Sequence, residues 1–201
     1  MTKRAVVRQF DHLLKPRSFL RQKDVWNRRV QSIVDVIDIQ ISKVDDSATV
    51  NAGVLDREVY TIAWGREPPE LIEQPHCTIG VRIGALRDDR LDKWWRLGDD
   101  NSVADLVGNV EAHVLPFLEY MHTREAMKQW LIETEVTRKR YPLPIISLAI
   151  LECLSGDFAQ GCKLLAEIQA RSRSAGGWGT RAAEVAERLG CFHEGRGRST
   201  C

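Results

Sequence analysis

Trp94 and Trp95 stand side by side in a run of charged residues, RDDRLDKWWRLGDD, over residues 87–100. Neighbouring side chains point to opposite faces of a strand and about 100° apart on a helix, so the two rings cannot fill one core pocket. In the architectural reading, one ring caps a sheet, the other packs on a helix over 102–121, and each indole N–H finds an acceptor. In the functional reading, one ring lines a groove for a partner or a stacked base. The architectural reading is preferred, with Trp95 as the core ring. The surrounding Asp and Arg residues read as a solvated, self-paired surface.

Four polar residues form the second constellation. Gln40, Asn51, His76 and Arg82 interrupt otherwise apolar, β-branched stretches. A buried amide or guanidinium must find partners or cost a few kcal/mol. A structural network would join Gln40 to Asn51 on neighbouring strands and clamp Arg82 with Asp35 or Asp38. The sharper alternative is a pocket on one sheet face, where Arg82 meets an anion and His76 serves as acid or base.

Other chemistries find less support. The five histidines show neither HxxxH nor HExxH spacing. Cys191, His193 and Cys201 would gather a soft metal only if the tail folded back, so no metal and no cofactor are expected. GxSxG is absent, and no cysteine sits in a recognised nucleophile motif. The segment SAGGWGT (174–180) could offer N–H groups to a phosphate at a helix start, but it lacks the GK[ST] of a P-loop and reads as a linker. The first thirty residues hold nine Lys/Arg against Asp11 and Asp24, enough to touch phosphates. No nucleic-acid motif accompanies them, which makes nucleic acid the disfavoured partner.

These residues need elements to position them. Val6, Phe10, Leu13 and Leu14 recur at helical spacing, giving an N-terminal helix stopped by Pro16. The stretches 25–30 and 31–42 read as a hairpin or one long bent strand. Ile33, Ile37, Ile39 and Ile41 share one face with Asp35, while Val34, Val36, Asp38 and Gln40 share the other. Residues 49–54 and 76–86 read as further strands, separated by a proline-rich loop over 63–75. A helix over 102–121, with Ser102 as N-cap, can cover the sheet. The rest reads as helical: 124–136, a hairpin over 146–172 turning at Gly156-Asp157, and 180–190. The fold class is α+β, with an N-terminal helix and a small antiparallel sheet packed by a long helix over 1–121, then an all-helical extension over 122–201.

Composition bounds the possibilities. Of the 201 residues 43% are apolar and 28% charged, as in soluble globular proteins. No apolar run approaches the ~20 residues that span a bilayer, and no secretory signal opens the chain. The formal charge of +1 hides basic ends and an acidic middle: residues 51–135 hold 9 Lys/Arg and 16 Asp/Glu. The five cysteines show no CxxC pair, so reduced thiols in a cytoplasm are expected.

Three stretches taken in order carry a resemblance. They are VIDIQIS followed by TVNAGV, then HCTIGVRIGAL, then LDKWWRL. Their order and spacing resemble the bacterial family known as domain of unknown function 4304, over roughly residues 1–120. The matching positions are Gln40, Asn51, Gly53, His76, Cys77, Arg82, Ile83, Gly84, Asp92, Trp94 and Trp95; Asp38 stands where the family pattern has Asn. The resemblance implies a fold and a cytoplasmic bacterial setting and assigns no activity. With no catalytic spacing in view, the expectation leans away from an enzyme and toward a protein that binds a partner, in a regulatory or immunity-type role. Its binding candidates are Trp94, Trp95, Asn51, His76 and Arg82. The alternatives are an enzyme using the sheet-face pocket on an anionic substrate and a nucleic-acid binder using the basic N-terminus. One sequence leaves the oligomeric state open.

Overall fold

The computed structural model describes residues 3–134, 141–171 and 177–191. The chain divides into two compact units, one of residues 1–57 with 68–123, the other of 58–67 with 124–201.

In the first unit, helix α1 (Lys3–Leu14) leads into strands β1 (Leu20–Gln22), β2 (Val25–Val30), β3 (Ile33–Ile41) and β4 (Ser47–Asp56). Residues 25–42 form two strands joined by a tight turn rather than one bent strand. Val30 pairs with Ile33, and Gln31 takes φ +54° between them. The unit continues with β5 (Ile79–Arg82) and β6 (Trp95–Arg96), then α3 (Asp100–Asn109), a π-helical turn (Val110–Val114) and α4 (Leu115–Tyr120). The antiparallel sheet runs β1-β2-β3-β4-β5, and β6 also pairs with β4. The long covering helix therefore exists with a π turn inside it. Its N-cap is Asp99, whose side chain accepts from Asn101 N–H, rather than Ser102.

Strand alternation separates the two sheet faces. Ile33, Asp35, Ile37 and Ile39 face the helices, where Phe10 packs on Trp26 with ring centroids 5.4 Å apart. The opposite face carries Val34, Val36, Asp38 and Gln40 beside Asn51, Gly53 and Leu55. The proline-rich segment crosses part of it. Ile72 is fully buried and exchanges two backbone–amide hydrogen bonds with Asn27, and Cys77 lies over Gly53.

The second unit contains α2 (Arg57–Trp64, from Glu58 onward), α5 (Arg124–Glu133), α6 (Leu143–Leu154), α7 (Phe158–Arg171) and α8 (Trp178–Leu189). Ala63 and Trp64 end a helix, where the expectation was loop. The α6–α7 hairpin turns at Gly156, whose φ of +96° suits a residue without Cβ. Arg188 donates to the carbonyls of Ile62 and Ala63 at the end of α2, and Arg181 lies 4.8 Å over the Trp64 ring.

The cysteine expectation is corrected here. Cys162 and Cys191 form a disulfide, while Cys77 and Cys153 are free. The bridge joins α7 to the end of α8 across 29 residues, a proximity made by helix packing that local spacing does not register. The basic run 138–140, residues 174–176 of the glycine-rich linker, and His193 and Cys201 lie outside the described residues. Among the described residues no helix is long and apolar enough to cross a membrane.

Candidate functional site

Arg82 closes β5, directly opposite Asn51 on β4, which in turn pairs with Asp38 on β3. This register places Gln40, Asn51 and Arg82 on one face of the sheet. Asn51 Nδ2 donates to Gln40 Oε1 at 3.1 Å, and Arg82 Nη2 donates to the same oxygen at 3.1 Å. Arg82 Nε reaches Asn51 Oδ1 at 3.5 Å, and Nη1 donates to Asp92 Oδ2 at 3.0 Å. The expected amide pairing is present, but neither Asp35 nor Asp38 clamps the guanidinium. Asp92 does, from the coil after β5, where no periodicity announces it.

Gly84 explains how Asp92 gets there. A Cβ at this position would sit 2.5 Å from the Leu91 carbonyl oxygen and 3.0 Å from the Asp92 Cα. Glycine therefore lets segment 91–92 lie against the end of β5. Within the segment Arg87 forms two hydrogen bonds to Asp89, and Asp89 accepts from Leu91 N–H. The Arg87 hydrogen bond, then the Leu91 N–H, hold the Asp89 carboxyl down to about 2. The loop thus arrives with Arg87 and Asp89 paired.

The two tryptophans part at β6. Trp95 pairs in register with Ala48, points to the helix side and is 1% exposed. Its indole N–H donates to Asp105 on α3 at 2.7 Å, and Lys93 bonds the same carboxylate oxygen at 2.6 Å. These bonds, Lys93 first, keep the Asp105 carboxyl below the usual range. Trp95 is thus enclosed in the core. Trp94 takes the other face, half-buried, with the Arg82 guanidinium 5.5 Å over its ring and its N–H 3.4 Å from Asp92. Leu91, three residues before Trp94, is 65% exposed.

His76 does not join this group through the strand. β5 begins at Ile79, and His76 sits in a 3₁₀ turn, where Nδ1 accepts from Glu73 N–H at 3.1 Å. Pro75 and a cap at Glu73 make that segment a turn where β-branched residues suggested a strand. Asp38 borders the site; burial, then the charges of Glu73 and Asp24, raise its pKa.

A second polar cluster was not foreseen. Asp35, fully buried on the helix side, accepts from Arg28 at 2.7 Å and lies 2.9 Å from His122 Nε2. Arg28 also reaches Glu119 and stacks 4.7 Å over Phe19. The charged partners justify a carboxylate inside an apolar strand face. At the N-terminus, Arg4, Arg8 and Arg21 line a shallow groove of mixed sign with Asp11 and Asp24. Asp11 is already paired with Lys15 and Arg21.

The family model described as domain of unknown function (DUF4304) matches residues 10–120, more than half of the chain. The chain belongs to that family. The match runs from α1 through the sheet, the Arg82–Gly84 segment and the tryptophan pair to the end of α4. No curated protein and no solved structure matches the chain.

Proposed function

We propose that the chain is a binding protein that recognises a protein partner on the ledge formed by Leu91, Asp92 and Trp94 around Arg82. The observation that carries this reading is the state of Arg82. Its guanidinium is occupied by Asp92, Gln40 and Asn51 and lies against the Trp94 ring. A guanidinium already neutralised by a carboxylate is a poor receptor for an anionic substrate. It is a good support for an aromatic ring held half-exposed in one position, the kind of residue that anchors protein contacts. The acidic middle of the chain suits a partner with a basic rim. A bacterial cytoplasmic setting, with a regulatory or immunity-type role, belongs to this proposal; there the Cys162–Cys191 bridge would be reduced.

The test is affinity capture of the tagged full chain from native lysate, with and without nuclease, comparing wild type with Trp94→Ala. One stoichiometric protein that survives nuclease and is lost with Trp94→Ala is the expected result. Nuclease-sensitive recovery, or equal recovery by the variant, would overturn it. Trp95→Ala is the contrast: it should cost ~3–5 kcal/mol of stability, as large core truncations do, whereas Trp94→Ala should stay folded.

A further inference from the structure

Three sulfur atoms converge in the helical unit. Cys153 on α6, Cys162 on α7 and Cys191 just past α8 place their Sγ atoms within 4.8 Å of one another. Each comes from a different helix or helix end, so packing brings them together. Gly161 fixes that packing: a Cβ there would overlap the Cys153 sulfur and come within 2.6 Å of the Ala149 carbonyl oxygen. α7 therefore lies close on α6 at the residue before Cys162. Gly190, at φ +78°, ends α8 and turns the chain so that Cys191 meets Cys162.

The bridge uses two of these sulfurs and leaves a third beside it. Cys153 is 3% exposed, while Cys162 and Cys191 lie nearer the surface. Stabilising the helix ends requires only the bridged pair. A third thiol within reach of both has the composition of a different site, three soft ligands with a solvent side. In tetrahedral zinc–thiolate centres the metal–sulfur bond is about 2.3 Å, so ligand sulfurs stand about 3.8 Å apart. Sulfurs already within 4.8 Å need only side-chain rotation to reach that spacing.

We propose that, once the bridge is reduced, Cys153, Cys162 and Cys191 bind one soft d¹⁰ cation, zinc by preference, as a three-thiolate site with its fourth position open to solvent. A dithiol reductant supplies two electrons and two protons to the S–S bond and leaves as its own disulfide. The three thiols then form three metal–sulfur bonds and give their protons to water, leaving the centre with one net negative charge. Thiolate ligands select such ions over hard cations. Loading should strengthen as pH rises, since the metal must displace the thiol protons.

The experiment uses the full chain, reduced with a phosphine without oxygen and titrated with Co²⁺ and then Zn²⁺. Reduced protein should take up one equivalent, show a sulfur-to-cobalt charge-transfer band that zinc abolishes, and release about three protons per ion. Oxidised protein should show no band. Cys153→Ala should weaken binding at least about tenfold with helical content unchanged, because losing a ligand costs no less than losing an outer-shell partner. Should that variant fail to fold, Cys162→Ala, at the half-buried position, supplies the same reading. Cys77→Ala with Cys201→Ala should leave the one equivalent intact. The proposal is overturned if the reduced chain binds no stoichiometric cobalt, if Cys153→Ala and Cys162→Ala bind as wild type does, or if the Cys77/Cys201 variant loses the band.

Discussion

Asp38 stands opposite Asn51 in register, beside the polar cluster. Burial, followed by the charges of Glu73 and Asp24, raises its pKa above the ordinary 3.8. A carboxyl raised in this way contributes stability fully below its unfolded value and loses it as pH rises through the folded value. At neutral pH, where the unfolded carboxyl is ionised, the raised pKa makes Asp38 work against the fold. Asp38→Asn keeps the shape and removes the charge. It should raise stability at pH 7 by ~0.5–1 kcal/mol, the usual scale for relieving an unfavourable charge. The gain should shrink toward zero near pH 3, where wild-type Asp38 is also neutral. Urea midpoints at the two pH values check this, and equal stability at pH 7 would show the charge to be compensated. At this scale the sequence is informative where polar atoms fall inside apolar strands: Gln40, Asn51 and Arg82 need partners, and two of those partners lie on neighbouring strands. Asp92 was hidden because it enters from coil. The Arg28–Asp35 pair follows from a two-residue turn at Gln31-Ser32, which fixes the register, whereas His122 comes from 87 residues away.

The sheet and the long helix were legible because burial imposes periods on them. β3 and β4 show β-branched runs, and the helix over 102–121 shows a broad apolar stripe. α2 escapes such a reading. It has two turns, and Val59, Tyr60, Thr61 and Ile62 inside it favour strands. Its stability is tertiary, supplied by Arg188 at its carbonyls and Arg181 on Trp64. The turn around His76 follows the same logic, because its Glu73 cap outweighs local propensity. The segment covering the far sheet face also depends on one backbone position. A Cβ on Gly53 would stand 2.6 Å from Cys77 Sγ and 2.9 Å from the Ile79 carbonyl oxygen. Neither the strand backbone nor the buried thiol can yield without moving the segment. Gly53→Ala should cost ~1–3 kcal/mol, the range for an overpacked core. It should also make native Cys77 react faster with a bulky thiol reagent, mapped by peptide mass. A variant that melts with wild type and keeps Cys77 protected would show that the segment is free to shift.

At the scale of the whole chain, the two units are threaded rather than strung in series. The chain leaves the first unit after Arg57, spends residues 58–67 in the second, returns at Pro68 and leaves again after Thr123. This route makes α2 depend on residues far down the sequence. Arg188 donates to Ile62 O at 2.8 Å, Arg181 stacks on Trp64, and Arg124 pairs with Glu58. All three arginines follow Thr123. A chain ended at Thr123 keeps every strand and every pairing of the sheet, yet it removes these partners of α2. An eight-residue helix without tertiary support is marginal in water. Hydrogen exchange on the shortened chain should therefore show α2 amides losing protection by at least about tenfold, while the β3–β4 amides stay protected. If α2 exchanges as slowly as in the full chain, its stability does not come from the helical unit. If β3 and β4 lose protection as well, the sheet itself depends on the threading, and the two units fold as one.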